Sequence, residues 1–243
     1  MKHEHIALIS LCLNNAGVDA FERGHLGKAL NFFQVALNTT SKKSSSAFEC
    51  SRKLSKKMLR KVIKSQSKSF APKQDFDVVY SKSYGEYSRH TRRLNLILER
   101  FENSSTYIFQ KVFSIKASNS LRILEQTSTD QLNAVICFNL GICHHLCQGH
   151  IEEARQHYEL VIQSSCELEC KIILVACWNN LLHIFSHDLL EEGQRRCCLR
   201  AIEQILCQCN FSDHLSRLKG LDRRGILFNL MLFSSSGNLA PAA

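Results

Sequence analysis

Between Cys143 and His157 the chain gathers the residue types that most often do chemistry: Cys143, His144, His145, Cys147, His150 and His157. A histidine and a cysteine four positions apart share a helix face, and zinc takes four nitrogen or sulfur ligands in a tetrahedron. The rest of the chain does not supply the remainder of such a site. None of the twelve cysteines forms a Cys-x-x-Cys pair, and Cys166-x₃-Cys170 and Cys207-x-Cys209 lack knuckle spacing. The cluster therefore reads as packing cysteines with a hydrogen-bonded histidine, and no metal or cofactor is expected.

A thiol nucleophile needs a base or a helix N-terminus to lower its pKa. No family signature or glycine-rich turn surrounds any cysteine here, and the chain has no phosphate-binding loop and no dinucleotide fingerprint. The reading is a protein that is not an enzyme. Cys137, Cys143, Cys147, Cys177 and Cys198 fall on apolar positions of amphipathic patterns, where a reduced thiol acts as a small hydrophobe. That usage points to a reducing, intracellular setting, cytoplasmic or nuclear. The run Ile6–Leu13 is short and continues into a helical pattern, so it is read as helix rather than leader, and no stretch reaches the roughly 20 apolar residues that span a bilayer.

Charge is the second chemical signal. The formal net charge is +9, yet residues 41–93 alone carry fifteen Lys or Arg against four acids, a net of +11, so the remainder stands at −2. Leu54, Met58, Leu59, Val62 and Ile63 fall on one helical face there, with basic residues around the rest. Such a segment suits a solvated face, an acidic partner, a membrane surface or import machinery. Phe70, Tyr80, Tyr84 and Tyr87 among these charges leave nucleic acid open as a partner through phosphate attraction and base stacking. The serine-rich, aperiodic composition of residues 41–95 is that of a disordered insert.

The elements that must position these residues are helical. Only Pro72 and Pro241 occur in the whole chain, and the long stretch between them is rich in Leu, Ile, Ala and Glu. Periodicity places helices at Ile6–Glu22, Leu26–Asn38, Asp130–Cys147, Ile151–Ser164, Glu167–His187 and Leu190–Cys207, with turns at Gly24 and Gly149. Tyr107–Ile115 is rich in β-branched and aromatic residues and reads as a strand. Its expected partner is Ile226–Phe233 in a short two-stranded ribbon; a capping helix over His214–Phe233 fits the same periodicity equally well.

One pattern recurs. It runs Leu13-x₂-Ala16-Gly17-x₂-Ala20 with Ala29-x₃-Phe33; then Cys137-x₂-Leu140-Gly141-x₂-His144 with Ala154-x₃-Tyr158; then Trp178-x₂-Leu181-Leu182-x₂-Phe185 with Gln194-x₃-Cys198. Small residues let two helices approach, and the large ring beside them fills the gap. The pattern resembles the tetratricopeptide repeat (TPR), a 34-residue helix-turn-helix unit, over about half the chain and in degenerate form. The expected fold is mainly α, a TPR-like superhelix. Its parts are a first helix pair in 1–40, the basic insert in 41–95, a connector with a strand in 96–128, two further pairs in 129–210, and a capping segment and tail in 211–243.

The resemblance implies a protein or peptide partner bound on the first helix of each pair. Carried onto this sequence, that lining is Asn14, Val18 and Phe21, then Phe138, Ile142 and His145, then Asn179, His183 and Ser186. The family's clamp for chaperone C-termini needs cations on the first and third inner helices; this chain has Asn14 and Val18, then Ala176 and Asn180, so that ligand is not expected. The reading is a non-catalytic interaction scaffold, with an RNA- or nucleic-acid-associated repeat protein as its alternative.

Overall fold

The computed structural model describes residues 2–40, 77–80, 106–116, 129–147, 149–164, 171–187, 191–208 and 220–236. Those residues are mainly helical: α1 Lys2–Glu22, α2 Leu26–Thr40, α3 Thr129–Leu146, α4 Ile151–Gln163, α5 Lys171–Ser186, α6 Glu192–Gln208 and α7 Gly220–Ser236, with two short strands, β1 Asp77–Tyr80 and β2 Phe113–Lys116. The chain divides into two compact units. One holds residues 1–88 and 111–160, the other residues 89–110 and 161–243.

In the first unit α1 packs on α2, α2 on α3, and β2 against both α1 and α3. The α1–α2 turn is closed by Gly24 in the left-handed region (φ 77°). His25 N–H donates to Ala20 C=O at 2.9 Å and Gly24 N–H to Phe21 C=O at 2.9 Å, the paired bonds that satisfy a helix's last carbonyls. The repeated small-to-large pattern has a direct physical counterpart. A Cβ placed on Gly17 would lie 2.5 Å from the Phe33 ring, and one on Gly141 would lie 2.6 Å from Tyr158. Phe21, Phe33, Phe113, Phe138 and Tyr158 are all essentially inaccessible and form the core. Phe113 meets Phe138 edge-on with centroids 5.0 Å apart, and Phe138 in turn meets Tyr158 at 5.8 Å.

In the second unit α5 packs on α6 and α6 meets α7. Ile173, Ala176, Cys177 and Leu182 of α5 are fully buried, with Cys198 and Ile202 of α6 and Ile226 of α7 in the same core class. Trp178, expected to fill a gap in the third helix pair, is only partly buried. Helices α3 and α5 are buried on nearly every side, whereas α4 and α6 bury one stripe and expose the rest. A helix buried all round must find partners for its polar side chains inside the protein.

Two expectations are corrected. The run Ile226–Phe233 lies within α7, as the capping-helix alternative has it, and is not a strand partner of Tyr107–Ile115. A helix satisfies its own backbone groups, so α7 leaves no ladder bonds for a ribbon. The strand itself is shorter than expected, starting at Phe113, and its partner is β1: antiparallel, with Asp77 opposite Lys116, Val78 opposite Ile115, Val79 opposite Ser114 and Tyr80 opposite Phe113. Residues 77–80 belong to the stretch read as a disordered insert, and their β-branched and aromatic run forms a strand instead. The basic amphipathic segment Leu54–Ile63 and the expected cap residues 214–219 lie outside the described residues.

Candidate functional site: paired asparagine clamps

Ordinarily a buried asparagine in a helix interior is unfavourable, because it competes with the backbone for hydrogen bonds and loses water. Here Asn14, Asn139, Asn179, Asn180 and Asn229 are all fully inaccessible. Each is on a helix, and each spends its carboxamide on the main chain of residues 107–115 or on another asparagine that does.

In the first unit, Asn139 of α3 accepts the Phe113 N–H at 2.7 Å and donates to the Phe113 C=O at 2.8 Å. Asn15 of α1 does the same to Ile115, accepting its N–H at 3.1 Å and donating to its C=O at 2.8 Å. Between them Asn14 donates to the Phe113 C=O at 3.1 Å and accepts from Asn139 Nδ2 at 2.9 Å. A carboxamide presents one acceptor beside two donors, which matches the N–H and C=O that one extended residue turns to the same side. Asparagine thus stands in for a neighbouring strand. Ser114 and Lys116, whose backbone groups face the other way, sit opposite Val79 and Asp77 of β1.

In the second unit the same arrangement recurs on other helices. Asn229 of α7 accepts the Tyr107 N–H at 2.7 Å and donates to the Tyr107 C=O at 2.7 Å. Asn180 of α5 accepts the Phe109 N–H at 2.8 Å and donates to the Phe109 C=O at 3.0 Å. Asn179 bridges, donating to the Tyr107 C=O at 3.1 Å and accepting from Asn229 Nδ2 at 2.8 Å. Each unit therefore pairs an Asn-Asn dipeptide on one helix with a single Asn on another, and in both the first asparagine of the dipeptide is the bridge. The Tyr107 hydroxyl also donates to Asp222 at 2.7 Å, and its ring covers Gly225 at a contact no Cβ could share. Burial, together with the carboxylate beside it, pushes the Tyr107 phenol far above its usual range.

Most side chains of this segment are buried, Tyr107 only partly. Ile108, Phe109, Val112, Phe113 and Ile115 are at most 4% exposed. Backbone and side chains are thus read by different groups: polar carboxamides take the first, apolar surface the second.

The nine lining residues expected from the sequence divide accordingly. Asn14 and Asn179 touch the extended segment through its backbone, and Phe138 touches it through the Phe113 ring. Ser186 approaches Thr106 at 3.5 Å while donating to the His183 C=O at 2.6 Å. Val18, Phe21 and Ile142 are core residues. His145 is buried against the Tyr158 hydroxyl at 3.2 Å, and His183 is buried with its Nε2 3.5 Å from that of His187. Asn15, Asn139, Asn180 and Asn229 carry bidentate bonds and are absent from that lining. Their signal was an asparagine set among apolar neighbours inside a helix: Leu13-Asn14-Asn15-Ala16, Phe138-Asn139-Leu140, Trp178-Asn179-Asn180-Leu181 and Phe228-Asn229-Leu230.

The Cys/His cluster is distributed rather than convergent. Cys143 is fully buried and its thiol is pushed well up by desolvation, while His145 is committed to Tyr158. His144 stacks on His157 with centroids 5.4 Å apart and lies 5.6 Å from His150, which reaches Glu153 at 3.1 Å. Among the described residues no three His, Cys, Asp or Glu side chains are arranged to hold a metal ion. Burial pushes the thiols of Cys137 and Cys198 up to about 11 and about 12, which keeps them protonated and poorly nucleophilic. Among the described residues no helix is long and apolar enough to cross a membrane.

No protein-family model, curated protein or solved structure matches the chain.

Proposed function

We propose that the chain is a non-catalytic scaffold of TPR-like helix pairs that binds a protein partner as extended polypeptide. The observation that carries this reading is the recurrence, in each unit, of an Asn-Asn dipeptide and a lone Asn that together grip an extended backbone. A buried amide is stabilising only when fully bonded, and these amides are bonded to the extended backbone or to an asparagine that is. Gly17 under Phe33 and Gly141 under Tyr158 support the TPR-like reading of the helix pairs. Free, buried thiols at Cys12, Cys137, Cys143, Cys177 and Cys198 fit a reducing compartment, cytoplasm or nucleus.

The test compares the full chain with a variant whose fifteen Lys and Arg in residues 41–93 are replaced by Gln, leaving β1 in place. Affinity purification from cell extract is expected to recover the same protein partner with both. Recovery of nucleic acid alone, lost in the neutralised variant and steeply salt-dependent with the full chain, would instead favour the nucleic-acid alternative.

A further inference from the structure

We infer that His183 and His187, at the C-terminal end of α5, form a two-histidine site for a divalent transition-metal ion of the zinc class, with water at its remaining coordination positions. The site lies outside the Cys143–His157 cluster and goes beyond the scaffold reading, on which it does not depend.

Three observations carry it. The first is spacing. The two histidines are four apart, so their side chains share a helix face, and their Nε2 atoms stand 3.5 Å from each other with ring centroids 4.8 Å apart. That is long for a hydrogen bond, whose good range ends at about 3.2 Å. It suits an ion, since two nitrogens each about 2.0–2.1 Å from a tetrahedral zinc stand about 3.3–3.4 Å apart.

Access is the second. His183 is buried and His187 exposed, so the core holds one ligand while the other meets the solvent from which an ion and its waters enter. The third is the helix end itself. Ser186 Oγ donates to the His183 C=O at 2.6 Å and the His187 N–H to the Ile184 C=O at 3.4 Å, which ties the turn that carries both rings. The last carbonyls of a helix favour a cation, and the Arg195 guanidinium already approaches the Phe185 C=O at 3.5 Å.

The donors select the metal. Imidazole nitrogen suits zinc, copper and nickel, whereas magnesium and calcium require oxygen. Among the described residues no third His, Cys, Asp or Glu completes a ligand set with this pair, so the ion keeps open positions and exchanges with solution. Ser186, between the two histidines, approaches Thr106 at 3.5 Å. An occupied site therefore ties the end of α5 beside the start of the gripped segment, and stabilises the folded chain by mass action.

The test titrates the full chain with zinc chloride by isothermal calorimetry at pH 7.5, beside a His187→Gln variant whose changed side chain is exposed and leaves the core intact. The variant is expected to lose one zinc per chain or to bind it at least tenfold more weakly, and magnesium chloride should give no saturable heat with either protein. In NMR spectra of the wild type, substoichiometric cobalt chloride should broaden the His183 and His187 ring signals before those of any other histidine, and protons should displace the ion at pH 5.5. Identical zinc affinity and stoichiometry in the two proteins, or cobalt broadening that begins at His144, His150 or His157, would overturn the inference. Partner capture by the scaffold stands or falls separately, in the affinity purification.

Discussion

Asn139 and Phe113, 26 residues apart in sequence, exchange two hydrogen bonds of 2.7 and 2.8 Å through the carboxamide of one and the backbone of the other. Asn229 and Tyr107, 122 residues apart, do the same at 2.7 Å in both directions. Bonds of this span fix where an extended segment lies, whatever its side chains are.

Removing one carboxamide leaves a buried N–H and C=O without a partner, and each orphaned group costs about 1–3 kcal/mol. Asn139→Ala should therefore destabilise the chain by about 3 kcal/mol in denaturant unfolding. Asn139→Asp should cost at least as much, since it keeps the acceptor but loses the donor and buries a charge. A loss under about 1 kcal/mol for both would show that water replaces the clamp.

The small-to-large contacts give a prediction of their own. With Tyr158 2.6 Å from a Cβ at Gly141, Gly141→Leu should overpack the α3–α4 contact and destabilise by about 1–3 kcal/mol. Gly193, with open space around it, should accept alanine with little loss. An unchanged melting temperature for Gly141→Leu would contradict the contact.

The stacked histidines make stability depend on pH. Desolvation first, and His144 second, lower the His157 pKa from its ordinary 6.5 to about 4, against the opposing pull of Glu153. The unfolded chain then takes up a proton that the folded chain resists, so stability is full above about pH 6.5 and is lost as pH falls toward 4. A one-unit shift corresponds to about 1.4 kcal/mol, and solvent screening of this incompletely buried ring reduces the full effect to ~2 kcal/mol. Equilibrium unfolding at pH 7.5 and pH 4.5 should show that loss, and His157→Gln should shrink it.

Thiol reactivity should sort by burial. A short pulse of iodoacetamide on the native chain should label the exposed Cys197 and Cys207 and spare Cys143, Cys177 and Cys198, as read by peptide mass spectrometry. Rapid labelling of Cys143 would contradict its place in the core.

The helices, their glycine turn at Gly24 and the pairing of glycine with aromatic rings were legible in the sequence, because periodicity and size matching are local signals. The clamps were not. Asn14 and Asn179 enter the expected lining only through the repeat resemblance, which assigns inner-helix positions to a ligand. Their true partners, Phe113 and Tyr107, lie 99 and 72 residues away, beyond any local pattern. The strand pairing failed for a related reason: Ile226–Phe233 does approach Tyr107, but through the side chain of Asn229 on a helix rather than through a ladder. The actual partner, β1, is four residues long inside a stretch whose overall composition hides it.

The most direct measurement is residue-resolved amide hydrogen exchange by NMR on the full chain and on Asn139→Ala. The clamp account predicts strong protection of the Tyr107, Phe109, Phe113 and Ile115 amides in the wild type, and in the variant a loss at Phe113 of at least tenfold beyond that of the α5 amides. Phe113 exchanging in the wild type as fast as an exposed loop, or showing no selective loss in the variant, would contradict it.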